Sequence, residues 1–166
     1  MRTNFSMEIQ NVNEVWLQNH LLGLTDGWNL SFHGNIIFPN GKEYFLPLID
    51  FNTSIIDEKI IEICEFRLSK SKELAKHRHI FEVMKLYSSG RSYHGYGSIL
   101  LEYEDWKKYS VALLLFNYTR LHNELDTIVD TRWIAHRILS GYPCLRWSNN
   151  SNHYLQYPQL FKEHFL

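Results

Sequence analysis

Apolar residues fall into two kinds of pattern along this chain: short runs bounded by turn residues, and longer stretches with helical spacing. Val15, Trp16, Leu17, Leu21 and Leu22 give a helical face over residues 13–24, with Asn13 as cap and Thr25-Asp26-Gly27 as stop. Residues 28–33 and 35–38 read as short strands, Asn40-Gly41 as a hairpin turn, and residues 43–50 as the returning strand. Pro47 inside that strand has no N–H for the ladder, which predicts an edge or a bulge there. A helix capped by Thr53 or Ser54 follows. It has Asp57 and Glu58 in its first turn and an apolar stripe of Ile56, Ile60, Ile61, Ile63 and Cys64. Strands at 79–87 and 93–102 then flank a polar turn, residues 104–117 and 133–139 are helical, and residues 144–147 form a last strand. The tail from residue 148 to residue 166 has no period that assigns it to an element.

From residue 43 onward this order is strand, helix, strand, strand, helix, strand. It predicts an α+β fold with a split β-α-β-β-α-β (RRM-like) core over about residues 43–150, within a single domain of residues 1–166. A small N-terminal helix and hairpin segment precedes the core. In such a core the first and third strands lie side by side and antiparallel. Asp50, ending the first, therefore meets His94, beginning the third, and Ile128-Val129 leads Asp130 to the same rim.

Composition narrows the class. A hydrophobic share of 45% and a charged share of 21% suit a globular chain with a substantial core. The longest apolar run, residues 111–116, is too short to span a membrane, and the N-terminus has no signal-peptide core, so a cytoplasmic protein is expected. Cys64 and Cys144 lack metal-ligand spacing and read as free thiols. Net charge is −1, but residues 67–91 hold seven Lys or Arg against two acids. That basic stretch leads into the polar turn and predicts a polyanion partner. The Lys76-His77-Arg78-His79 run within it reads as basic surface, and Trp28, Trp133 and Trp147 read as core.

The turn carries the chemistry. Ser88-Ser89-Gly90-Arg91-Ser92-Tyr93-His94 combines hydroxyls, a Gly that lets backbone amides approach a ligand, a guanidinium and an imidazole, a set that suits phosphate. Ser92 and His94, two apart in a strand, share a face. Asp50 and Asp130 add hard oxygen donors for Mg²⁺ or Mn²⁺, so the constellation suits metal-assisted phosphoryl transfer. Asp130 also stands where it can cap the helix that starts near Thr131.

These residues resemble the archaeo-eukaryotic primase and primase-polymerase superfamily. The elements that carry the resemblance are Leu48-Ile49-Asp50-Phe51-Asn52, then Ser89-Gly90-Arg91-Ser92-Tyr93-His94, then Ile128-Val129-Asp130, with Leu145-Arg146-Trp147-Ser148 downstream. The resemblance implies a primase-type core and a nucleotidyltransferase that uses NTP or dNTP on a single-stranded or primed nucleic-acid template. It implies Asp50, His94 and Asp130 as catalytic residues, and Asp50, Asn52 and Asp130 around Mg²⁺ or Mn²⁺. Ser89, Arg91, Ser92, His94 and Arg146 would bind the nucleotide. Asn52 stands where the family has a second acid; it offers a carbonyl oxygen without charge. The alternative is a primase-like module whose catalysis has lapsed, kept to bind nucleic acid, nucleotide or a larger protein partner.

Overall fold

A computed structural model describes residues 15, 19, 30–52, 58–90, 92–119, 125–147 and 157–166. The helix read over residues 13–24 (apart from Val15 and Asn19), the cap at Thr53 or Ser54, and Arg91 lie outside the described residues.

The first strands are Ser31–His33 (β1), Asn35–Ile37 (β2), Glu43–Phe45 (β3) and Leu48–Asp50 (β4). Asn40-Gly41 turns the chain as its residue types require. Gly41 sits at φ 80°, Asn40 Oδ1 accepts from Lys42 N at 3.0 Å, and β2 pairs antiparallel with β3. Pro47 divides the strand expected over residues 43–50. It cannot donate, but its carbonyl accepts from Gly97 N at 2.8 Å. A Cβ on Gly97 would lie 2.5 Å from Pro47 Cγ, so the close approach requires glycine.

Next come three helices, Glu58–Lys70 (α1), Lys72–Ala75 (α2) and Arg78–Glu82 (α3), then strands Lys85–Ser88 (β5) and Tyr93–Tyr96 (β6). The strand expected over residues 79–87 is thus half helix. Ile80, Phe81 and Met84 are all fully buried, and a strand would send Ile80 and Phe81 to opposite faces, whereas a helical turn brings all three inward. The strand expected over residues 93–102 ends at Tyr96, with Leu101 rejoining Phe45 through an isolated bridge.

Tyr103–Ala112 (α4) tightens into a 3-10 turn at Leu113–Phe116. Tyr118–Thr119 (β7) pairs with Leu125–Asp126 (β8), and Thr131–Ser140 (α5), Cys144–Arg146 (β9) and Gln159–Lys162 (β10) complete the order.

The central sheet runs β10-β5-β6-β4, antiparallel throughout. First and third strands of the core are neighbours, as the α+β split arrangement requires. The last core strand departs from that scheme. β9 pairs with β1 in a separate two-stranded sheet, and β10, from the tail that the sequence pattern left unassigned, closes the β5 edge instead. Rings explain the placement. Phe32 of β1 packs edge-on against Tyr96 at 5.8 Å, and Trp147 lies 5.3 Å from Tyr87 and 5.4 Å from Tyr96. These contacts hold the β1–β9 pair over one face of the central sheet. The other face, with Ile49 and Leu86, packs into the core with Cys64, Leu68, Phe81, Tyr109 and Phe116. Phe165, fully buried, lies against Phe51 and Phe81 and anchors the tail. Truncating such a ring to alanine costs about 3–5 kcal/mol.

Neither cysteine is assigned to a disulfide; Cys64 is buried and Cys144 half-buried. Among the described residues no helix is long and apolar enough to cross a membrane.

Candidate active site

The site is assembled by backbone pairing before any side chain acts. Asp50 and His94 are register partners across β4 and β6, and Phe51 N extends that ladder by donating to Tyr93 O at 2.9 Å. On the opposite edge, Asn52 N donates to Ile128 O at 2.8 Å and Asp130 N to Asp50 O at 2.9 Å, with Phe51 bridged to Val129. The three-residue stretch 50–52 is therefore clamped between β6 and the approach to α5, and Asp50, His94 and Asp130 meet at one rim.

Asn117 holds that approach in place. Its Oδ1 accepts from Ile128 N at 2.7 Å and from Val129 N at 2.8 Å, and its Nδ2 donates to Val129 O at 2.8 Å. Sequence reading passed over this residue, which ends a helical apolar run and reads as an ordinary terminator. The one available signal was a side chain with both donor and acceptor beside a segment short of strand partners.

A cavity of about 330 Å³ opens at the rim, lined by Asp50, Asn52, Ser89, Ser92, His94, Asp130 and Arg146, together with Phe51, Trp133, Cys144 and Leu145. Every candidate site residue read from the sequence lines it except Arg91, which lies outside the described residues. Trp133, read as core, packs against the core and also forms part of the wall, its indole Nε1 donating to Cys144 O at 2.9 Å. The turn between β5 and β6 is tight: Ser89 N donates to Ser92 O at 2.8 Å, the two Oγ atoms lie 3.3 Å apart, and Gly90 takes φ 93°. Arg146, on β9, reaches across to donate from Nη2 to Ser89 O at 3.0 Å. The separate β1–β9 sheet is what brings this cation over the serine turn.

Burial sets the electrostatics. The Asp50 carboxyl is pushed up to about 7, by burial first and by the nearby Asp130 charge second, with Arg146 opposing. His94 is lowered to about 3 by burial and then by Arg146, so its ring is neutral at pH 7. Its Nε2 lies 3.7 Å from Asp50 Oδ1, and its Nδ1 lies 3.3 Å from the Tyr96 hydroxyl. Burial likewise raises that hydroxyl well above the usual phenol range. Asp130 does cap α5: its Oδ1 accepts from Arg132 N at 2.8 Å and Trp133 N at 3.0 Å. The cap uses one carboxylate oxygen, and the residue also borders the cavity.

The basic stretch behaves differently. None of its residues from Arg67 to Lys85 lines the cavity. Lys76 pairs with Glu73 at 2.7 Å, Arg78 with Glu82 at 3.1 Å, and Lys85 with Glu163 at 2.7 Å.

An α+β core whose first and third strands set an aspartate against a histidine, with a second aspartate beside them, is consistent with a primase-like core. Over residues 8–159 the sequence matches the AEP-like family, described as archaeo-eukaryotic primase 1D-like, and the chain belongs to that family. Neither the curated proteins nor the solved structures give a match.

Proposed function

We propose that this protein is a nucleotidyltransferase of the primase-polymerase kind, joining NTP or dNTP to a hydroxyl end on a nucleic-acid template. One observation carries the reading: Asp50, cross-strand partner of His94 and backbone-bonded to Asp130, opens with both onto a cavity closed by a serine turn and an arginine. In the reaction the hydroxyl oxygen bonds to the α-phosphorus, the bond to pyrophosphate breaks, and the hydroxyl proton passes to solvent water.

On this reading Asp50 and Asp130, the two carboxylates that border the cavity, would hold one Mg²⁺ or Mn²⁺. Burial first and the nearby Asp130 charge second raise the Asp50 carboxyl, and a bound cation would offset both, with the Asn52 carbonyl as a third hard oxygen. When bound, such an ion supplies charge neutralisation on the phosphates and acidifies the attacking hydroxyl. The chain's own groups do the positioning. Ser89 and Ser92 offer hydroxyls to phosphate oxygens, Arg146 is held over the same turn through Ser89 O, and Arg91 belongs to that turn in sequence. His94, uncharged, acts on phosphate as a hydrogen-bond donor rather than as a cation. Trp133 and Leu145, with Phe51, form the apolar part of the cavity wall.

A second reading, a binding module without chemistry, is favoured by Asn52, which brings no charge to the rim. Priming and primer-extension assays with Mn²⁺ separate the two. Activity in wild type that rises in Asn52→Asp and vanishes in Asp130→Ala supports the enzyme. The same background signal from all three proteins, alongside retained nucleotide binding, establishes the module.

A further inference from the structure

We propose that Tyr96 is a positioning residue that fixes the tautomer of His94, placing the imidazole proton on Nε2, where a phosphate oxygen of the nucleotide can accept it. The inference rests on the reading of the cavity as a nucleotide site, and it concerns how that site is prepared.

Tyr96 and His94 are two apart on β6, so both side chains rise from the same sheet face, above their partners Leu48 and Asp50 on β4. The Tyr96 hydroxyl lies 3.3 Å from His94 Nδ1, and among the described residues that nitrogen is its hydrogen-bond partner. Two arrangements satisfy the distance. If Nδ1–H donated to the phenol oxygen, the phenol proton would be left without an acceptor among the described residues. If the phenol donates to Nδ1, both groups are satisfied, and the ring proton must sit on Nε2. That nitrogen is the one on the Asp50 side, 3.7 Å from Oδ1, and both residues line the cavity.

The phenol ring is held on several sides. Tyr87 packs edge-on at 5.2 Å, Trp147 at 5.4 Å and Phe32 at 5.8 Å. The aromatic cluster that seats the β1–β9 pair on the sheet thus also orients the hydroxyl that orients the histidine. One packing event sets both Arg146 and the His94 proton.

The test compares wild type and Tyr96→Phe, which keeps the ring, by nitrogen-15 NMR of the His94 imidazole without ligand. Calorimetric binding of inorganic tripolyphosphate is then measured in both, and again in a His94→Gln background, where the amide donates irrespective of Tyr96. The expected spectrum shows the Nε2–H tautomer in wild type and a mixture in Tyr96→Phe. Tripolyphosphate binding should weaken about fivefold in Tyr96→Phe, the scale of one hydrogen bond, and stay unchanged when the same substitution is made in His94→Gln. An Nδ1–H tautomer in wild type, an unaltered tautomer in Tyr96→Phe, or equal weakening in both backgrounds overturns the proposal. The spectrum judges the positioning on its own: a wild type that shows the expected tautomer but binds no tripolyphosphate refutes the nucleotide reading and leaves the assignment standing.

Discussion

Two regions of this molecule hold charge in opposite ways. Along α1 to β5, the chain carries many basic residues; Arg67 is buried, whereas Lys76, Arg78 and Lys85 are exposed and matched to acids at short range, the Lys76 side chain, paired with Glu73, being 62% exposed. At the rim of the central sheet few charges are present, but the His94 side chain is only 5% exposed and that of Asp50 only 24%. The first region shows large charge and little consequence, because water and nearby acids screen it. In the second, removal from water moves Asp50 and His94 by several pH units in opposite directions. Burial, and not the density of charge along the sequence, distinguishes the site.

The sharpest way to break that comparison is at Asp130, where fold and chemistry share one side chain. Asp130→Asn keeps an oxygen for the α5 cap and removes the charge. It should leave stability nearly unchanged while lowering nucleotide transfer at least ~100-fold, the scale for losing a preorganised charge contact. Asp130→Ala should add a loss of about 1 kcal/mol in urea denaturation from the missing cap. If Asp130→Asn transferred nucleotide at the wild-type rate, the carboxylate would be structural only.

Asp50 gives the next effect. Its folded-state value of about 7 lies above the ordinary carboxylate range, so its contribution to stability is fully present below about pH 4 and is lost as pH rises through 7. His94, at about 3 against an ordinary 6.5, works the other way: its contribution is present above pH 6.5 and is lost as pH falls toward 3. Between about pH 4 and 6.5 the two slopes oppose each other in wild type. Asp50→Asn removes one of them. In chelated buffer the variant should exceed wild-type stability by roughly 2–4 kcal/mol at pH 8, with the gain closing toward pH 4. A gain independent of pH would contradict the assignment.

Asn117→Ala removes three hydrogen bonds to residues 128 and 129. A loss of about 2–3 kcal/mol in urea denaturation is expected, since backbone groups are left unpaired, together with a fall in any Asp130-dependent activity. Asn117→Asp, which keeps the acceptor and loses the donor, should fall between the two.

The smallest effect belongs to the basic stretch. Lys76→Gln and Arg78→Gln should each change stability by less than about 1 kcal/mol and leave turnover on nucleotide unaltered. A large change in turnover would mean that the exposed charges act on the cavity after all.

Much of this was written in local pattern. The Asn40-Gly41 hairpin, the helical stripes of α1, α4 and α5, and the strand ends at Asp50 and His94 follow from residue types that act over a few positions. Because side chains alternate along strands, the meeting of Asp50 with His94 followed once first and third strands were neighbours. Asp130 was legible both as a cap and as a site residue, and it borders the cavity while serving as the cap.

Packing between distant segments decided the rest. Residues 78–82 became helix because Ile80, Phe81 and Met84 all found the same core, which no window of sequence around them contains. β9 left the central sheet for β1 because rings of β1 and Trp147 seat on Tyr87 and Tyr96, and β10 took the vacant edge because Phe165 is buried against Phe51 and Phe81. Asn117 and Tyr96 gained their roles in the same way, through partners whose positions exist only after folding. Hydrogen-bonding and apolar side chains declare what they can bind in the sequence; which partner stands within reach is settled by tertiary contact alone.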